Sequence, residues 1–157
     1  MGLYLYLTSG IKENLLTYIE NYPHHDFLLL ENNQQHILIN ESNELPIFEQ
    51  VTPYINIFQF GTKKKYGHAV YQKFSLQQGD EKIFLLQFEA LKNQFAKQLG
   101  LHGFYLLKEE TNLHFAFLSF WDTETDFDSW KKTQLYHQIL SPFLNEQTAT
   151  SSYLIRK

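Results

Sequence analysis

Three side chains in the second half of the chain have the types and spacing to hold and act on a flat ligand: Gln72, Trp130 and His137. Gln72 stands between Val70 and Phe74 in a stretch of alternating pattern, so its amide shares a face with two apolar side chains. It needs a hydrogen-bond partner there, either a ligand or backbone. Trp130 follows Phe127 by three residues, the spacing of an inward helical face. An indole at such a position is either core or the wall of a pocket for a planar molecule. His137 lies seven residues beyond Trp130 and is nearly eclipsed with it on a continuous helix, where it would offer a ligand nitrogen or a proton to the same space. A new helix starting at Thr133 would break that phase and leave His137 at the surface.

Other chemistries find no support in the residue pattern. The chain has no cysteine, which excludes disulfides, thiolate metal sites and a cysteine nucleophile. No glycine-rich phosphate loop, serine elbow or HExxH pattern occurs. His24-His25 read as a loop or strand start, because adjacent histidines point apart and no carboxylate completes a metal set. The net charge of −4 and the pI near 5.9 argue against a nucleic-acid partner. The single basic run, Lys63-Lys64-Lys65, reads as a solvated connector. The N-terminus lacks the pattern of a signal peptide or a myristoylation site, and no apolar run reaches the roughly 20 residues of a membrane span. The expectation is a soluble, cytoplasmic protein with no membrane span.

The elements that must position these residues fall into two similar halves, 1–62 and 66–157, around GTKKKYG. In the first, GLYLYLT alternates as a strand, and IKENLLTYIENY is a helix with Leu15, Tyr18 and Ile19 on one face, ended by Pro23. DFLLLE and HILINES form a hairpin. Pro46 and Pro53 deny a long helix to LPIFEQVTPYINIFQF, which reads as short strand or single-turn pieces. In the second half HAVYQKFSL is a strand, followed by a helix to Leu99 with Phe84, Phe88, Leu91, Phe95 and Leu99 in one stripe and Gly100 as its stop. GFYLLKE and LHFAFLSFW form a second hairpin. A helix then begins near Thr123, where Thr123 with Asp126 and Thr125 with Asp128 fit a capping box equally well, and SSYLIR closes the chain as a strand.

The repeated order strand–helix–strand–strand is the ferredoxin-like plan. In LHFAFLSFW, Leu113, Phe115, Phe117 and Trp121 alternate with Ala116, Leu118 and Phe120, so both faces of that strand are apolar and both must be covered. Helices cover one face and a second sheet the other. The fold class is therefore α+β, with two ferredoxin-like halves forming an α+β barrel of the dimeric type within one chain.

The run from Gly103 to His137, with GFYLLK, FAFLSFWDTETDFDSW and KKTQLYH, is similar to the antibiotic biosynthesis monooxygenase domain. The long N-terminal half resembles the heme-degrading monooxygenase and target-of-RNAIII-activating-protein branch, on element order and the opening strand. The resemblance implies oxygen-dependent opening of a heme that is both substrate and cofactor. The heme-degrading branch uses an Asn on the first strand of the domain, a Trp on the helix after the third strand, and an axial His ten residues beyond that Trp. Trp130 matches the Trp, Gln72 stands at the Asn, and Leu140 stands at the His, with His137 three residues earlier. The resemblance thus implies Trp130 and Gln72 as catalytic side chains and His137 as the cofactor ligand. The implied partner is a small flat apolar molecule, bound by a monomer with a pseudo-dimeric barrel or by a weak homodimer. Two further readings stand beside the enzyme: a non-catalytic ligand-binding or stress regulator on the same scaffold, and an interaction module that uses an outer face.

Overall fold

A computed structural model describes residues 2–61, 67–143 and 149–156. The Lys63-Lys64-Lys65 connector and the boundary between the halves lie outside the described residues. In chain order the elements are β1 (Tyr4–Gly10), α1 (Lys12–Asn21), β2 (Asp26–Glu31), β3 (His36–Ser42) and β4 (Thr52–Gly61). They continue with β5 (His68–Ser75), α2 (Asp80–Phe95), β6 (Leu101–Glu109), β7 (His114–Trp121), α3 (Glu124–Lys131), α4 (Gln134–Ile139), a 3-10 turn (Ser141–Phe143) and β8 (Ala149–Arg156).

The eight strands close into one barrel in the order β1-β3-β2-β8-β5-β7-β6-β4. Each half keeps the ferredoxin-like order fourth–first–third–second. The fourth strand of each half also pairs with the second strand of the other: β4 with β6, and β8 with β2. These two seams close the barrel within a single chain, as the doubly apolar LHFAFLSFW strand requires.

β7 shows the layering. Phe115, Phe117 and Trp121 pack outward with Phe84, Phe88 and Phe95 of α2. Ala116, Leu118 and Phe120 pack inward with Leu5, Ile39 and Tyr105. The barrel interior also holds Tyr54 and Tyr71, whose hydroxyls lie 2.5 Å apart. Burial pushes the Tyr54 hydroxyl up to about 12, against the opposing pull of its bond to Tyr71. Burial is also the main cause of strong upward shifts at Tyr71 and Tyr105. The first half has a smaller helix-side core of Tyr6, Leu15, Leu29, Leu38 and Phe48 beneath α1 alone. The second half carries three helices, and the candidate site lies beneath them.

Two expectations change. LPIFEQVTPYINIFQF yields one ten-residue strand in place of short pieces, because Pro53 sits at its second position, where a missing N–H is tolerated. α2 ends at Phe95, four residues short of Leu99, which is 86% exposed and has left the buried stripe. Gly100 then adopts φ +79°, and a Cβ there would collide with the Asp126 carboxyl group, so this glycine permits close approach between the start of β6 and the start of α3.

Candidate functional site

The site is built on the outward face of β5. Alternation sends Ala69 and Tyr71 into the barrel and Val70, Gln72 and Phe74 toward the helices. Gln72 is 1% exposed. Its Nε2 donates to the hydroxyl of Tyr136 on α4 at 3.2 Å.

Two threonines set the angle of the helices above. Thr123 caps α3, accepting from the Asp126 backbone N–H at 3.2 Å while its hydroxyl donates to the Asp126 carboxylate at 3.0 Å. Of the two possible capping boxes, this one forms. Thr133 caps α4, accepting from the Tyr136 backbone N–H at 3.2 Å and donating to the Trp130 carbonyl at 2.7 Å. The chain therefore breaks between α3 and α4, and the phase linking Trp130 to position 137 is lost. Tyr136 turns inward, and His137 faces solvent.

Trp130, 2% exposed, is ringed by aromatic side chains. Phe95 meets it at a centroid distance of 4.6 Å and Tyr136 at 4.7 Å, both edge-to-face, with Trp121 at 5.6 Å and Phe127 at 6.0 Å. Leu140 is fully buried in the same cluster. The structure thus brings Gln72 and Trp130 together around Tyr136, and it does not bring His137 to them.

The two tryptophans differ in one respect that bears on function. Trp121 donates its Nε1 proton to Ser119 Oγ at 2.8 Å, as a structural indole should. Trp130 Nε1 has no partner, and neither does Gln72 Oε1. His68, on the same face of β5, likewise leaves Nδ1 unpaired. Five such buried atoms occur among the described residues, and three belong to this one layer. Each costs roughly 1–3 kcal/mol unless something pairs with it. The sequence reasoning missed Tyr136 and His68. The signal for Tyr136 was Thr133, whose capping role fixes which residue of the next turn faces inward.

Residues 68–141 match the model of the family described as antibiotic biosynthesis monooxygenase. Over those residues this chain is similar to an antibiotic biosynthesis monooxygenase domain. The match covers β5 through α4, the elements that carry Gln72, Trp130 and Tyr136. The chain is 29% identical over 135 residues to a heme-degrading monooxygenase of Listeria monocytogenes, covering 86% of this chain and 81% of that one. The chain superimposes on a monooxygenase-like protein from Listeria innocua with TM-score 0.89 and 28% identity, over 99% of this chain and 95% of that one. The crystal structure of a heme-degrading enzyme from Listeria monocytogenes matches with TM-score 0.83 and 26% identity, over 96% and 98%. A major regulator of staphylococcal pathogenesis shares the fold at 11% identity, with TM-score 0.82 over 98% of each chain.

No helix among the described residues is long and apolar enough to cross a membrane. Among the described residues, no group of three or more His, Asp or Glu side chains gathers to hold a metal ion.

Proposed function

We propose that this protein is an oxygen-dependent monooxygenase of the heme-degrading type, acting between the β5–β7 face and helices α2–α4. The observation that carries the reading is the pair of unpartnered buried atoms, Gln72 Oε1 and Trp130 Nε1, gathered on either side of Tyr136. The relatives of similar full length that are named for heme degradation support it.

The residues present would offer a heme one planar wall and two polar contacts, and they differ on the iron side. Trp130 supplies a rigid planar wall, and its Nε1 can donate. Gln72 supplies an acceptor in Oε1 while its Nε2 fixes the Tyr136 hydroxyl. Leu140 excludes water and cannot coordinate. Tyr136 would therefore hold the iron, a role phenol oxygen takes in other heme proteins, and His137 on the outer face would not. When bound, the heme would supply oxygen activation at its iron. The protein's part would be to bind the macrocycle, orient it against Trp130 and donate a hydrogen bond from Gln72 Nε2 to the Tyr136 oxygen.

A second reading is favoured by the four rings that enclose Trp130: a binder or regulator without turnover, in which those rings and Leu140 fill the space. One experiment separates the two. Hemin is titrated into the parent protein and into Tyr136→Phe, His137→Ala, His68→Ala and Leu140→His, and a reductant is then added in air. The enzyme reading expects a saturable Soret shift that only Tyr136→Phe weakens severely, followed by loss of the band. A featureless parent titration, with binding gained by Leu140→His, would establish the second reading.

A further inference from the structure

We propose that one mouth of the barrel is a second binding site, for a small organic anion with a carboxylate at one end and an apolar body at the other. A cavity of about 400 Å3 opens there, on the opposite side of the sheet from Trp130, lined among others by Leu7, Ile37, Tyr71, Lys73, Ser151 and Tyr153. Its size lies within the roughly 300–1,000 Å3 of small-molecule sites.

The charge of the lining selects the ligand. Among the described residues it contains one cation, Lys73, and no carboxylate, although the chain as a whole carries 17 acidic residues against 13 basic ones. Lys73 continues the inward series Ala69, Tyr71 on β5, a direction that elsewhere in the strand carries uncharged side chains. Its ammonium lies 5.7 Å from the centroid of the Tyr71 ring, which holds the stem along the cavity wall. It forms no ion pair with a described carboxylate. Glu109, whose charge reaches Tyr54 and Tyr71, is outside the lining and pairs with His114 Nδ1 at 3.1 Å.

Among the described lining residues, Ser9, Thr52, Ser151 and Tyr153 carry hydroxyls at barrel-facing positions, while the Tyr71 hydroxyl is already bonded to Tyr54. The Tyr153 oxygen already accepts from Gln35 Nε2 at 2.8 Å, which leaves its own proton free for a ligand. Burial keeps Tyr71 protonated well beyond the ordinary range, so it does not add a negative charge. Leu7 and Ile37 provide the apolar wall. The barrel is not built this way throughout: Glu41, at the end of β3 remote from His36, accepts from the Tyr105 hydroxyl and from the Gly2 N–H, each at 2.7 Å.

The test uses benzoate as the probe and benzyl alcohol as its neutral counterpart. Methyl signals of Leu7 and Ile37 are followed by NMR in the full chain, in Lys73→Met and in Ser151→Trp, which fills the cavity. The expected result is saturable benzoate shifts confined to those methyls, with benzyl alcohol and Lys73→Met each about tenfold weaker or worse, and with no binding to Ser151→Trp. Lys73 is exposed, so Lys73→Met is expected to keep the parent methyl spectrum. Shifts that never saturate, equal affinity for the two probes, or parent-like binding by Lys73→Met or Ser151→Trp would each overturn the proposal. The outcome is independent of hemin binding, because Tyr71 and Gln72 face opposite sides of the sheet.

Discussion

Gln72 and Trp130 approach the same phenol from two sides: the amide holds the Tyr136 hydroxyl at 3.2 Å, and the indole meets the Tyr136 ring edge-to-face at 4.7 Å. Each also keeps one buried polar atom unpaired. An arrangement chosen for stability alone would have used apolar groups here, since replacing both members of a buried polar pair is often neutral or favourable.

The double variant Gln72→Leu with Tyr136→Phe is therefore expected to be as stable as the parent, or more stable by up to about 1 kcal/mol, while losing hemin binding. Urea unfolding midpoints and a hemin titration on the same samples check this. A loss of stability of several kcal/mol would show that the pair is structural.

Trp121 offers the opposite case. Ser119→Ala strands the Trp121 indole proton in the core and should cost about 1–3 kcal/mol, with little effect on a hemin titration. Tryptophan fluorescence during urea unfolding reads the stability change.

Thr133→Val removes the hydroxyl that joins the end of α3 to the start of α4. The expected cost is about 1 kcal/mol, typical of a lost cap. Hydrogen exchange should rise in α4 before it rises in β7. Equal protection of α4 in both proteins would show that packing alone seats Tyr136.

The interior tyrosines predict a steep alkaline limit. Their folded pKa values are raised, Tyr54 to about 12, so their contribution is complete below the ordinary value of 10 and is lost as pH rises through the folded values. Above about pH 10 stability should fall by up to about 1.4 kcal/mol per pH unit for each such tyrosine. Tyr54→Phe should make that slope shallower. Urea midpoints measured between pH 8 and 11 test it, and an unchanged slope would remove Tyr54 from the account.

The sequence revealed the scaffold better than the site, for a physical reason. Alternation in Leu113–Trp121 reports burial on both faces, and burial on both faces of a ferredoxin-like sheet demands a barrel. Helix phase is less robust. One threonine hydroxyl at position 133 re-phases the turn that follows, so a seven-residue spacing from Trp130 led to His137 and the inward place fell to Tyr136. The end of α2 was lost to a similar local effect, since Leu99 fits the stripe by spacing but follows a helix that has already stopped. The seams β4–β6 and β2–β8 have no local signature, because pairing across 40 residues or more leaves no mark on neighbouring positions.

Those seams also bear on how the chain comes into being. During synthesis the first four strands emerge with β2 and β4 as open edges, and the strands that cover them have yet to be made. The nascent half is a template for any passing extended segment until β6 and β8 arrive. Tethering both halves in one polypeptide raises the effective concentration of the right partner over every other chain in the cell. On this view the fusion of the two halves acts as a built-in guard against mispairing.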